Sequence, residues 1–242
     1  MPICEVLILA MSKMKSGICT AGFTREADAV TGLRWVRPVK AFDTLLPGDM
    51  TDANSHLIQC SDVVALNLLA ERPDPPHIED WTADFVRQPP HLLRRLEGKR
   101  RARFLAEHLD RAPEDVLVHH RRSLCLVHPT QVWASFSLDG YSGKYEAHLG
   151  FRLLGEANHR RASDGRGLSV TDLKWRALGR SWLGEQGDAL TLDQETLLQR
   201  LSAEAIYLTV GLSRQYQGEY WPLIVGVHVV PDYEMEVDLA NL

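Results

Sequence analysis

Three prolines in four positions, Pro73, Pro75 and Pro76 within Arg72-Pro73-Asp74-Pro75-Pro76, constrain the fold of this chain more than any other feature. Each lacks a backbone donor and restricts the residue before it, so no helix or internal strand runs through them. Regular structure must be built on either side of the break, and a module boundary is expected near residue 72. Before it, apolar stretches bounded by turn residues predict strands over 4–10, 18–23, 33–39 and 63–69, with Pro47-Gly48-Asp49 opening a polar connector.

Beyond the break the period changes. Leu92, Leu93, Leu96, Phe104, Leu105 and Leu109 fall near helical spacing, with Gly98 interrupting and arginines on the other face, so one or two basic helices are expected over 90–109. Strand-like alternation returns over 123–127, 132–136 and 145–154, with tight turns at Asp139-Gly140 and Ser142-Gly143. A helix is expected over 190–205, where Thr191 or Asp193 can cap a stripe of Leu197, Leu198 and Leu201. Residues 206–230 read as two strands joined by a polar, aromatic loop, and the tail with Asp232, Glu234, Glu236 and Asp238 as a solvated extension. No period of the length used by solenoids or propellers is present.

Composition narrows the function classes. With 242 residues, 45% apolar and 24% charged, the chain is long enough for one large or two small domains with a real core. The apolar run 6–11 is too short to span a bilayer and lacks a basic leader, so a cytoplasmic location with no membrane partner is the expectation. Cys4, Cys19, Cys60 and Cys125 show no C-x-x-C spacing, which suggests neither a zinc ribbon nor a disulfide framework but free thiols in a reducing compartment. The net charge of −5 argues against coating nucleic acid by bulk electrostatics, yet residues 87–122 hold ten Lys/Arg against five Asp/Glu.

Two short constellations point to a ligand. In Gly32-Leu33-Arg34-Trp35-Val36-Arg37-Pro38 a strand period of two puts Trp35 and Arg37 on one face, where they can hold a base and a phosphate. Lys174-Trp175-Arg176, followed by Arg180 and Trp182, repeats the pairing of indole and cation. Aromatic stacking contributes about 1–3 kcal/mol per base. The competing reading is a core tryptophan flanked by arginines that reach solvent by their stems. Arg94, Arg95, Lys99, Arg100, Arg101 and Arg103 form a third candidate that either attracts a polyanion or is a solvated helix face pairing with the acidic tail.

Weaker signals complete the survey. The loop 155–167, with Asn158-His159-Arg160-Arg161, can close over a phosphate but matches no nucleotide fingerprint and reads more readily as a surface loop. His119 and His120 would point to opposite sides of a strand, and His77-Ile78-Glu79 lacks the cysteines of a deaminase site, so no metal and no cofactor are expected. Thr171-Asp172 and Ser213-Arg214 are polar pairs at expected strand ends, where turns use such residues for local hydrogen bonds.

Three segments together carry a family likeness: the first strand with Trp35-Val36-Arg37-Pro38, Ser169-Val170-Thr171-Asp172, and Leu208-Thr209-Val210-Gly211-Leu212-Ser213 with residues 221–227. The chain resembles a bacterial family described as a dual OB-fold domain. That resemblance implies a mainly β (α+β) fold with two OB-like five-stranded barrels in one chain, although the region 94–111 is more charged than a plain barrel connection requires. The expected division is an N-terminal barrel over 1–72, a Pro-rich linker and basic helical insert over 73–122, and a C-terminal barrel with one helix over 123–242. Nucleic-acid or nucleotide binding without catalysis, in a bacterial defence or DNA-processing setting, is the implied function. Trp35 and Trp175 would stack bases, Arg37, Lys174 and Arg176 would contact phosphates, and the 94–103 stretch would steer the polyanion. The rivals are a hydrolase using Asp172 with a histidine such as His159, and a module that engages a protein partner through the basic insert or the acidic tail.

Overall fold

The computed structural model describes residues 3–25, 34–155, 159–237 and 239. Gly32, Leu33, Asn158 and Asp238, which belong to segments singled out above, lie outside the described residues. The N-terminal half supplies β1 (Ile3–Met14), β2 (Gly17–Thr24), β3 (Arg34–Val39), β4 (Asp62–Glu71), β5 (Asp80–Ala83) and β6 (His91–Arg95). β1 pairs with β2 and β2 with β3, all antiparallel; β3 pairs with β5 in parallel, and β4 closes the ring by pairing with both β5 and β1. The result is a closed five-stranded barrel, which removes its own sheet edges.

Because β5 follows the prolines, the boundary expected at residue 72 falls inside this barrel, and the Pro-rich stretch is the β4–β5 loop. The segment expected to be helical from 90 divides in two. His91–Arg95 becomes β6 because β4 offers a second edge for it to pair with, and α1 (Gly98–Glu107) begins, rather than breaks, at Gly98. A short α2 (Glu114–Leu117) follows.

The apolar character of β1 has a geometric cause. Val6 and Ile8 point into the barrel core, while Leu7 and Leu9 point outward into a separate apolar cluster. A bulge between Ile8 and Ala10 shifts the phase, so Met11 returns to the barrel interior and Ala10 faces out. Both faces are buried, so the strand reads as a continuous run instead of alternating.

The C-terminal half repeats the ring with β7 (Leu124–Val127), β8 (Gln131–Leu138), β9 (Tyr145–Arg152), β10 (Leu168–Ser169), α3 (Leu173–Gln186), β11 (Ala189–Leu192), α4 (Gln194–Leu201), β12 (Ala205–Leu212) and β13 (Pro222–Val230). β7 and β8, separated by His128, Pro129 and Thr130, together hold the first-strand position. β8 pairs with β9 and β9 with β10; a parallel bridge from Val170 to Ile224 continues to β13, and β12 joins β13 back to β7. The half carries two α-helices where one was expected. In α3 the Asp172 side chain accepts from the Trp175 N–H at 2.7 Å, and Trp175, Leu178, Trp182 and Leu183 form the buried stripe. Gly179 lets this helix press on the sheet, since a Cβ there would meet the Phe136 ring at 2.2 Å.

The two barrels share a third apolar cluster, in which Leu7, Leu9, Phe23 and Trp35 meet Leu105 of α1 and Leu124, Leu126 and Tyr207 of the second barrel. A Cβ on Gly226 would lie 2.2 Å from the Leu9 carbonyl oxygen, so only glycine permits the approach of β13 to β1. Polar links pin the same joint. The Glu79 carboxylate accepts from the Ser123 N–H and Oγ–H at 2.9 and 2.8 Å, and Arg101 donates to Ser61 Oγ at 2.8 Å and to the Val229 carbonyl at 2.5 Å. The acidic tail is not a solvated extension: Asp232 pairs with Lys174 at 3.0 Å and lies near Arg95 and Arg101, and Val237 packs against the first barrel's core. Among the described residues no helix is long and apolar enough to cross a membrane.

Candidate functional site

The period-of-two argument for Trp35 and Arg37 holds, since Val36 enters the barrel while Trp35 faces outward. That face is covered at one end. Trp35 is only 4% exposed, packs on Phe23 with ring centroids 4.2 Å apart, and offers no surface to a base. Trp175 is fully buried on α3 among Phe136, Trp182 and Tyr233. Both stacking assignments are therefore corrected: the indoles are core, because the second barrel and α3 supply the apolar partners that the local sequence does not reveal.

The expected phosphate contacts are also redistributed. Lys174 pairs with Asp232 and sits over the Tyr233 ring; Arg176 donates to the Val170 and Tyr145 carbonyls. Arg95 pairs with buried Asp62 at 2.7 Å, Arg94 with Glu5 at 3.3 Å and Arg103 with Glu107 at 2.8 Å. Arg101 is buried at the joint. Lys99 and Arg100 remain exposed on α1 and form no ion pair with a described residue.

Where the outer face of β1–β2–β3 is not covered, it opens into a cleft of about 680 Å³ between the barrels. Ala10, Ser12, Cys19, Ala21, Arg37 and Val39 form its floor on the first barrel, and Gly211, Ser213, Leu223 and Val225 its wall on the second. The β1–β2 turn contributes Lys15 and the β4–β5 loop contributes Arg72 and Asp74. Among the described residues Lys13, Lys15, Arg37, Lys40, Arg72 and Arg214 line it against Asp43, Asp74 and Asp80.

Register explains the centre of this site. The parallel β3–β5 ladder places Arg37 opposite Asp80, and Arg37 Nε donates to Asp80 Oδ1 at 2.6 Å. Arg214, from the β12–β13 loop, donates to the other carboxylate oxygen at 2.5 Å, so Asp80 is held by one arginine from each barrel. Arg37 Nη2 is buried without a hydrogen-bond partner, an unused donor beside the cleft. His77 is pushed down to about 3 by burial and then by Arg37 and Arg214, and is neutral at ordinary pH. The Cys19 thiol is pushed up by burial.

At the other end, Lys13 is shifted down from the ordinary lysine range by burial and by Arg176 and Arg180. Neighbouring cations that disfavour its charge are a local excess of positive potential. Lys13 and Lys15 form no ion pair with a described residue. Their charges are free for an anionic ligand.

Among the described residues no aromatic side chain lines the cleft, but two lie next to its lining residues in the chain. Phe42, 89% exposed, lies between lining residues Lys40 and Asp43; Arg72 fixes that loop by donating to the Lys40 and Ala41 carbonyls. Trp221, 39% exposed, immediately precedes β13 and lies two residues ahead of lining residue Leu223. Sequence reading missed both; the aromatic loop before β13 was the available signal. Asp172 and His159 do not form a catalytic pair: Asp172 caps α3, and His159 accepts from the Arg161 N–H at 3.3 Å. Among the described residues no group of three or more His, Cys, Asp or Glu is placed to hold a metal.

The family described as a dual OB-containing domain matches residues 4–227. No curated protein and no solved structure matches the chain.

Proposed function

The chain belongs to the dual OB-containing domain family, and from that premise we propose that it binds nucleic acid or a nucleotide in the cleft between its barrels, without catalysis. OB folds bind ligands on the face of strands two and three and on the loops joining strands one to two and four to five. The single observation that carries the proposal is that the cleft lies on that face of the first barrel and between those loops, with six cations against three carboxylates among the described residues. Lys13, Lys15 and Arg72 contact phosphate, Arg37 and Arg214 shape the floor, and Lys99 and Arg100 add long-range attraction. A role as an accessory component of a bacterial defence or DNA-processing system is part of the same proposal, supported by the family likeness alone.

Fluorescence anisotropy with labelled single- and double-stranded DNA and RNA at two salt concentrations tests it. Affinity should fall with salt, and Lys15→Glu should weaken it. Absence of binding to every oligonucleotide at low salt, with a stoichiometric protein co-purifying instead, would replace the proposal by the protein-interaction reading.

A further inference from the structure

One end of the cleft is walled by β13 and by the loop that leads into it. Leu223 and Val225 of β13 line the cleft, and Trp221 stands just before the strand begins, two residues ahead of Leu223. Ser213, also a lining residue, accepts the Trp221 N–H on its Oγ at 3.0 Å and donates its own N–H to the Trp221 carbonyl at 2.8 Å. The indole therefore continues the cleft wall outward. Its ring is already stacked: the Arg161 guanidinium carbon lies 3.6 Å from the ring centroid.

A planar cation resting on a partly exposed indole occupies the place a base would take. Arg161 belongs to the short turn Arg160–Ala162 and forms no ion pair with a described residue, so its side chain is free to exchange the ring for a phosphate. Among the described residues the cleft interior offers cations and aliphatic walls but no aromatic ring. A free mononucleotide inside it gains no stacking, whereas a strand that threads out over Trp221 does.

We infer that the ligand is a single strand at least two nucleotides long, which enters the cleft by its phosphates and stacks a base on Trp221 in place of Arg161. The inference rests on the reading of the cleft as a nucleic-acid site. It follows that a mononucleotide is a poor substitute for a strand, and that double-stranded ends bind only after fraying.

The test is anisotropy of a labelled tetrathymidylate, with thymidine monophosphate as competitor, on the wild type, Trp221→Ala, Trp221→Phe and Lys15→Glu. Trp221→Ala should lose about tenfold in oligonucleotide affinity while Trp221→Phe keeps most of it. The monophosphate should compete weakly and equally against both. Quenching of intrinsic fluorescence by the oligonucleotide should be present in the wild type and reduced in Trp221→Phe, a readout that holds even if the alanine variant folds poorly. Unchanged affinity and quenching in the Trp221 variants, with binding still weakened by Lys15→Glu, would overturn this exit while leaving the cleft as the site. No binding by the wild type at low salt would remove both.

Discussion

The two barrels are built on the same order of strands and use its outer face in opposite ways. On the first barrel, the face of β1–β3 carries Leu7, Leu9, Phe23 and Trp35, which are buried under the second barrel and α1, and then opens into the cleft. On the second barrel, the equivalent face of β8–β10 carries Trp133, Ser135, Glu146, His148 and Ser169, all partly or fully exposed. The crossover between the third and fourth strands differs as well. In the first barrel it holds a single 3-10 turn, Pro47–Met50; in the second it holds α3, β11 and α4. One ring thus leaves its apolar outer face to be covered by its neighbour, and the other supplies its own cover inside. An indole beside cations does not distinguish the two cases; what lies across from it does.

The largest effects should come from breaking this asymmetry at the joint. Trp35→Ala removes a buried indole and should destabilise by about 3–5 kcal/mol in urea unfolding, whereas Trp133→Ala on the open face should cost about 1 kcal/mol. Equal losses would mean that the second face is covered too. Asp80→Ala leaves buried Arg37 uncompensated and removes the anchor of Arg214, so a loss of about 3–5 kcal/mol is expected there. Asp80→Asn, which keeps the shape, should recover only part of it.

A smaller, pH-dependent effect separates the barrels' buried imidazoles from their carboxylates. His228, on β13 beside Thr209, is pushed down to about 3 mainly by burial and then by Arg101. Its contribution is fully present above the ordinary histidine value and is lost as pH falls, because the unfolded chain takes up a proton that the folded one refuses until about pH 3. Asp172, pushed up to about 6 by burial, acts in the opposite sense and loses its contribution as pH rises through that value. His228→Gln should therefore flatten the acid limb of the stability profile by about 1.4 kcal/mol per pH unit relative to the wild type. An unchanged slope would show that the ring is solvated.

Much of the ring was legible in the sequence, because β1–β4, β7–β9, β12 and β13 each carry enough apolar residues to announce a strand. β5, β10 and β11 are only two to four residues long and draw their identity from partners, not from pattern. α3 had a readable signal, with Asp172 as its cap and Trp175, Leu178 and Trp182 at helical spacing, but the likeness of Lys174-Trp175-Arg176 to the β3 segment masked it. The shared face of Trp35 and Arg37 followed from the strand period. That one would be sealed and the other opened did not, since the seal comes from Leu124, Leu126 and Tyr207. The clamp on Asp80 joins residues 134 apart in the chain, a distance over which sequence carries no local trace.

The finest comparison is between two turns in corresponding places. Lys15 lies in the β1–β2 turn at the cleft and has no ion pair with a described residue, while Lys144 ends the β8–β9 turn and pairs with Glu146 at 2.7 Å. Both are exposed, so reversing either charge should change stability by no more than about 0.5 kcal/mol. Binding should tell them apart. Lys15→Glu should lower oligonucleotide affinity and reduce the dependence of log affinity on log salt by about one phosphate contact, whereas Lys144→Glu should leave both unchanged. The contrast depends on position and not on net charge, since the two variants carry the same total. If both weaken binding alike, the ligand is responding to the overall field of the chain and not to the cleft of the first barrel.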